Sequence, residues 1–245
     1  RPSERFEYLG ALNYRRIGDV KDGSGAVIDG SAFDTPSGLL KGTWTLAGGQ
    51  KVRMSLQRWT SDEDDGRYAQ TGSTAFGTVD RRVVDTTALL GFADAVPDNP
   101  LLDYTISLGV SDTTNRQSDA RPGFPSTSIL FEDADYGYRT VTLKAENRSA
   151  VRGEAWEGFL TLGLDLSRLD RTARPASGQT IGFHPEGVDR RIGLYAQGEL
   201  VLGERLTLVP GLRADLVDRR PGPLVPGASA IEDLAVSPKV AAMYD

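Results

Sequence analysis

Leu102-Asp103-Tyr104-Thr105-Ile106-Ser107-Leu108-Gly109-Val110 alternates without a break. Leu102, Tyr104, Ile106, Leu108 and Val110 fall on one side; Asp103, Thr105, Ser107 and Gly109 fall on the other. Successive side chains of a β-strand point to opposite faces, so a strict period of two describes a strand with one greasy and one polar face. An amphipathic helix would need apolar residues three and four apart.

Working outward, nine further stretches carry the same period. Phe6, Tyr8, Leu12 and Tyr14 oppose Glu7, Asn13 and Arg15. Leu40, Trp44 and Leu46 oppose Lys41, Thr43 and Thr45, and Val52, Met54 and Leu56 oppose Arg53, Ser55 and Gln57. Val84, Ala88, Leu90 and Phe92 stand against Asp85 and Thr87. Later come Val141-Leu143-Ala145, Leu160-Leu162-Leu164-Leu166, Ile192-Leu194-Ala196-Leu200, Leu206-Leu208-Leu212-Ala214-Leu216 and Leu234-Val236-Val240-Ala242-Tyr244. The connections alternate between short and long. Short ones fall near 47–51, 95–100 and 203–205, with a somewhat longer one near 147–155, and carry turn residues such as Gly48-Gly49 and Pro97-Asp98-Asn99-Pro100. Long ones, rich in Gly, Pro, Asp, Ser and Arg, are expected near 18–37, 61–80, 113–136, 169–188 and 219–233. A hairpin pairs outward residues with outward ones, so the turn after Leu202 should hold three residues, 203–205, and set Leu202 opposite Leu206.

Two all-β architectures share this alternation, a soluble sandwich and a membrane barrel. Strands of ten or more residues exceed the usual soluble length of about 5–6 and suit a tilted crossing of a bilayer. Charges lie near the centres of the polar faces: Lys41, Arg53, Asp85, Asp103, Asp165, Arg191, Glu199, Arg213, Asp215 and Lys239. A wet lumen accommodates them. Phe6, Tyr14, Trp44, Phe92, Tyr104 and Tyr244 sit on the greasy faces, several near strand ends, where interfacial girdles form. Short turns at one end and long loops at the other are the layout of an outer-membrane barrel. The expected fold is therefore an all-β, up-and-down antiparallel transmembrane barrel with about ten strands present.

Composition narrows the functions. A net charge of −6 argues against a broad nucleic-acid surface. The absence of cysteine excludes a disulfide scaffold or thiolate metal site, and a single histidine, His184, excludes a multi-histidine zinc site. A Ser-His-Asp triad has no support from one histidine in a proline-bounded loop, so no enzyme is expected. No run of 18 apolar residues provides a transmembrane helix, which says nothing against strands. The chain opens at Arg1 just before a strand pattern, without an export signal, and stops at Asp245 inside another. It is therefore expected to be part of a longer chain.

Arg205-Leu-Thr-Leu-Val-Pro-Gly-Leu-Arg-Ala-Asp215, followed after a loop by Leu234-Ala-Val-Ser-Pro-Lys-Val-Ala-Ala-Met-Tyr244, resembles two adjacent barrel strands of TonB-dependent outer-membrane receptors. Val188-Asp-Arg-Arg-Ile-Gly-Leu-Tyr-Ala-Gln-Gly-Glu199 resembles the strand before them. Ser37-Gly-Leu-Leu-Lys-Gly-Thr-Trp44, Val52-Arg-Met-Ser-Leu-Gln-Arg-Trp59 and Asp98-Asn-Pro-Leu-Leu-Asp103 resemble early strands of the haem and haemoglobin receptor branch. The resemblance implies a barrel of about 22 strands enclosing an N-terminal plug. On it, residues 1–245 would be a partial barrel domain, with the plug and the C-terminal strands lying elsewhere. It also implies location in the outer membrane of a Gram-negative bacterium and uptake of haem or another iron source, driven by the TonB-ExbB-ExbD complex acting through the plug. Haem or a ferric chelate would be cargo, not a covalent cofactor. A siderophore or cobalamin receptor is the nearest alternative, and a non-transporting soluble β-sandwich binding protein the more distant one.

Candidate site residues are few. His184, in Ile181-Gly-Phe-His-Pro185, could ligate haem iron with Phe183 stacked nearby, although the branch's usual loop histidine falls later in the chain and a histidine without ligand is the plainer reading. Arg171, Arg174, Arg190 and Arg191 flank the same loop and could meet haem propionates, an anionic chelate or lipopolysaccharide phosphates. Asp62-Glu63-Asp64-Asp65-Gly66 offers carboxylates to Ca²⁺ but lacks EF-hand spacing, so a solvated acidic loop is the expectation. Asp165 and Asp215 could be read as a paired-carboxylate site; charge pairing in the lumen explains them better.

Overall fold

The computed structural model describes residues 5–68, 75–126, 128–181, 184–203, 205–222, 225 and 227–244. In chain order the strands are β1 (Arg5–Ile17), β2 (Val20–Lys21), β3 (Val27–Ile28), β4 (Phe33–Thr45), β5 (Lys51–Arg67), β6 (Thr78–Ala95), β7 (Asp103–Arg121), β8 (Ala134–Arg152), β9 (Trp156–Pro175), β10 (Gly187–Leu202), β11 (Leu206–Pro221) and β12 (Ile231–Tyr244). Ten of them form one antiparallel sheet in strict chain order, β1-β4-β5-β6-β7-β8-β9-β10-β11-β12, and β2-β3 make a small hairpin apart from it. Every connection in the large sheet joins neighbours, as in an up-and-down barrel. Among the described residues no second sheet packs against it, so the sandwich alternative is overturned.

The greasy faces line up across all ten strands. Phe6 pairs with Trp44, Trp44 with Val52, Val52 with Phe92 and Phe92 with Ile106. Further along, Leu108 pairs with Leu143, Leu143 with Leu166, Leu166 with Ile192 and Ile192 with Leu216. A slip of one residue anywhere would have turned a strand inside out. Leu202 pairs with Leu206 across a three-residue turn with Gly203 at φ +62°, as parity requires. Along the inner strands much of this apolar face is exposed, Leu108 at 43%, Ile192 at 45% and Leu216 at 47%, and the rest is half-buried. Among the described residues no protein core covers them, as expected of a face that meets lipid.

Two expectations about connections need correction. The 147–155 link is a turn of only three residues, 153–155, because β8 runs on to Arg152, closed by Gly153 N–H donating to the Trp156 carbonyl at 2.8 Å. At the other end the strands run well past the apolar band, so the long loops shrink to 18–32, 68–77, 122–133, 176–186 and 222–230. The extensions are polar, yet they continue the ladder because opposite charges face each other across it. Asp112 accepts from Arg139 Nε at 2.7 Å and Asp189 from Arg219 Nε at 2.8 Å. The acidic run at 62–65 is likewise strand, not loop. Asp62 and Glu63 pair in register with Arg82 and Arg81, with ion pairs of 3.4 and 3.0 Å. The register then shifts between Glu63 and Gly66, with Asp65 at φ +50°. Among the described residues no cluster of three metal-ligating side chains forms.

Candidate functional site: the polar face and its mouth

The polar face carries a network that reaches across whole strands. Neighbouring strands lie about 4.8 Å apart, so side chains two strands apart meet only where the strand between them is bare. Glycine provides that. Tyr195 on β10 lies over Gly163 on β9 and its hydroxyl donates to Glu146 Oε2 on β8 at 2.6 Å. Arg213 on β11 lies over Gly193 on β10 and donates from Nη1 to Asp165 Oδ2 on β9 at 2.8 Å. The same guanidinium grips Asp215 through Nε and Nη2, both at 2.8 Å. Lys144 stands 3.9 Å from Asp165, and Lys239 Nζ donates to Gln197 Oε1 at 3.1 Å. A Cβ at Gly163 would overlap the Tyr195 ring, and one at Gly193 would overlap the Arg213 guanidinium. Asp165 and Asp215 are therefore joined through Arg213 as a charge-paired group, consistent with a lumen and not with two free acids.

At the loop end, Ile181, His184 and Glu186 fold back onto the polar face. Ile181, 2% exposed, is buried against Ala134, Tyr136 and Ala173. Tyr136 pairs with Ala173 in the sheet, and both have polar-face parity, so the loop folds inward over the lumen side of β8 and β9. Glu186 Oε1 accepts from Ala173 N–H at 3.0 Å and fastens the loop's far end.

His184 occupies the centre of this fold-over. Its ring stands edge-on to Tyr136 and Tyr138, 5.0 Å from each centroid, and Nδ1 lies 3.1 Å from the Tyr138 hydroxyl. Nε2 is buried with no hydrogen-bond partner among the described residues. Burial first, and then the positive charge of Arg171, pull its pKa below the usual histidine value, while Glu186 opposes them.

The other sequence-derived candidates disperse. Arg171 is opposite Tyr138 on the polar face and is the guanidinium that acts on His184. Arg191 has polar-face parity too, opposite Ser167 and Val217, and its charge acts on Asp215. Arg174 pairs with Asp135 on the outward face, and Arg190 pairs with Arg168 there. The structure thus brings Arg171 to His184 and places Arg174 on the other side of the sheet. Phe183 lies outside the described residues. Tyr136 and Tyr138, which hold His184, were missed by sequence reasoning; their i, i+2 spacing on a polar face was the signal available. Also missed was a loop-borne aromatic cluster. Phe131 meets Tyr68, Phe76 and Phe124 with ring centroids 4.9, 6.4 and 5.3 Å away, and it ties the 68–77 loop to the 122–133 loop.

One continuous up-and-down sheet, an outward apolar band, a charged inner face, short turns at one end and infolded loops at the other define a segment of an outer-membrane receptor barrel. The chain belongs to the family described as TonB dependent receptor-like, beta-barrel, whose pattern matches residues 13–245, a family of receptors rather than enzymes. No curated protein matches the chain. Solved structures share its fold. The hemophore receptor HasR of Serratia marcescens, in complex with its hemophore HasA and heme, is 17% identical, with a TM-score of 0.69 over 96% of this chain and 36% of that one. The FrpB iron transporter of Neisseria meningitidis is 12% identical, with a TM-score of 0.77 over 98% of this chain and 40% of that one. FpvA of P. aeruginosa, bound to an iron-loaded pyoverdine, is 10% identical, with a TM-score of 0.70 over 98% and 36%. The chain spans well under half the length of each.

Proposed function

We propose that the full-length protein carrying these strands is a receptor of the Gram-negative outer membrane that imports haem or another iron complex by TonB-coupled transport. The remaining strands of the ring and the plug contacting TonB-ExbB-ExbD would lie outside residues 1–245. The observation that carries the reading is the family match over residues 13–245, joined to a charged inner face with an infolded loop at its mouth. The shared fold of HasR, FrpB and FpvA supports uptake of an iron-bearing cargo.

Within that reading His184 is the candidate ligand, its Nε2 buried and unpartnered in the arrangement described. If Nδ1–H donates to the Tyr138 hydroxyl, Nε2 keeps its lone pair, the form in which a neutral imidazole ligates a metal. Arg171 beside it and Arg191 deeper on the same face provide positive charge for carboxylates of the cargo. Phe183, one residue from His184, would add an aromatic surface, and Arg174 would act only from the outward face.

The test is growth on haem as sole iron source in a strain whose only haem receptor is the full-length protein, with and without TonB. Growth should require both. H184A should weaken haem binding, read from the Soret band of the purified receptor, while leaving the barrel folded. TonB-independent growth, or growth on a ferric siderophore but not on haem, would reject the haem reading.

A further inference from the structure

Residues 128–133 lie between two loops and hold both. Ile129–Phe131 form one short 3-10 turn, which Ser128 begins by accepting the Leu130 N–H on its side chain at 3.3 Å. The turn stops at Glu132, whose φ of −128° and ψ of 164° are extended backbone. Successive side chains of an extended chain leave in opposite directions, so Phe131 and Glu132 turn to different neighbours. Phe131 enters the ring cluster of Tyr68, Phe76 and Phe124. Glu132 reaches the loop that carries His184: Oε1 accepts from the Ser177 hydroxyl at 2.7 Å and Oε2 from the Ser177 N–H at 3.2 Å.

The surroundings make this pair a brace. Both carboxylate oxygens close on one residue, which fixes direction as well as distance, and hydrogen bonds to an ionised acceptor are the stronger kind. Beside it the Asp133 carbonyl accepts from the Ala176 N–H at 2.8 Å, and Asp133 Oδ1 accepts from the Ala120 N–H at 2.9 Å, tying the segment to the end of β7. The footing of Phe131 is equally close. A Cβ at Gly77 would overlap the Arg121 carbonyl, and one at Gly123 would overlap the Ala75 carbonyl. The Arg81 guanidinium stands 5.9 Å from the Tyr68 ring centroid. Loop 176–186 is thus held at its far end by Glu186, along its length by buried Ile181 and at its near end by Glu132. The charge of Glu132 also acts on Tyr136, one of the two rings against His184. The 3.1 Å contact of His184 Nδ1 with Tyr138 survives only small displacements, so the loop's anchorage decides whether it forms.

We propose that Glu132 is the positioning residue for His184, with Phe131 as the footing from which it acts. The inference rests on the reading of His184 as the candidate ligand of an iron-bearing cargo. The clamp on Ser177 sets how the loop leaves β9, and so where the imidazole meets Tyr138. Without it the loop keeps Ile181 and Glu186 but loses its fixed near end, and the imidazole spreads over several positions. A metal ligand has to present its lone pair along one direction, so a spread imidazole binds iron weakly although its chemistry is intact. The same brace joins His184 to the ring cluster of Tyr68 and Phe76, so a disturbance at that cluster reaches the histidine.

The experiment uses the full-length receptor with E132A, F131A, H184A and the double variant E132A/H184A. E132Q is the conservative variant, and E154Q, on the 153–155 turn at the opposite end, is the remote control. Heat-modifiable gel mobility confirms folding in each. Hydrogen exchange read by mass spectrometry, without haem, follows residues 176–186 and the peptide containing Phe76. E132A should quicken exchange of 176–186 roughly tenfold or more, the weight of hydrogen bonds to one charged group. E132Q, with its length and one acceptor kept, should recover part of the loss, and F131A should quicken both peptides. Haem titration followed at the Soret band should show E132A falling toward the H184A level, with the double variant no weaker than H184A, because Glu132 acts only through the histidine. Wild-type exchange of 176–186 in E132A overturns the proposal. So do losses of haem affinity that add in the double variant. Quickening of the Phe76 peptide alone in F131A overturns the footing. If H184A binds haem as wild type does, the ligand reading fails, and the clamp then stands or falls on the exchange result alone.

Discussion

Leu162 tests the assignment of faces most directly. On β9 the outward positions run Trp156, Gly158, Leu160, Leu162, Leu164, Leu166 and then Arg168. With a rise of about 3.3 Å per residue and a tilt of about 40°, the twelve steps from Trp156 to Arg168 cover about 30 Å along the membrane normal, close to the height of a barrel's apolar band. Leu162 is at the middle, opposite Ala196 and Asn147. A charge on the lipid face at the midplane costs about 2–4 kcal/mol. Leu162→Arg should therefore lower the folding equilibrium of the full-length receptor roughly 30- to 700-fold, at about 1.4 kcal/mol per decade. Thr161, one residue away, faces the lumen opposite Arg148 and Gln197. Thr161→Arg meets one like charge in a wet environment, at a cost of up to about 1 kcal/mol. Urea-dependent folding into vesicles, followed by heat-modifiable mobility, reads both. Equal losses, or a larger loss at Thr161, would refute the faces and with them the barrel.

Other outcomes follow from the same geometry. Gly163→Val should displace the Tyr195 ring and break its bond to Glu146; an ultraviolet tyrosine signature and reduced thermal stability would report this, whereas Gly23→Val, where a Cβ has open space, should leave Tyr195 undisturbed. Because the His184 pKa is lowered in the folded loop, the unfolded form binds the proton more readily. Docking of residues 176–186 should then be at full strength above about pH 6.5 and weaken as the pH falls through the folded value, and hydrogen exchange of that loop should quicken at low pH in wild type but not in H184F. Residues 1–245 produced alone should aggregate, since β1 and β12 each pair on one side only and unpaired backbone edges are not viable in lipid. A compact, detergent-free soluble monomer would contradict the membrane reading.

Much of this fold was legible in the sequence because a barrel strand writes its two environments into alternate residues. The run at 102–110 showed the period, and the three-residue turn at 203–205 set the register of Leu202 against Leu206 from parity alone. Face assignment needs no distant contact. Where each strand ended was less legible. Asp62 and Glu63 look like loop residues until Arg82 and Arg81 are seen opposite them, and their pairing depends on a register that local composition does not encode. The glycines at 163 and 193 show the same limit: read along the chain they are small residues on a polar face, while in the sheet they are the gaps through which Tyr195 and Arg213 reach across a strand. His184 was singled out by being the only histidine, but its setting between Tyr136 and Tyr138 arises from a loop folding back over strands some forty residues earlier. The sequence by itself determined which face of each strand meets lipid, because that depends on each residue's own hydrophobicity. Only the tertiary structure decided which charges meet, which arginines face each other and where the histidine rests, because those depend on the register between strands.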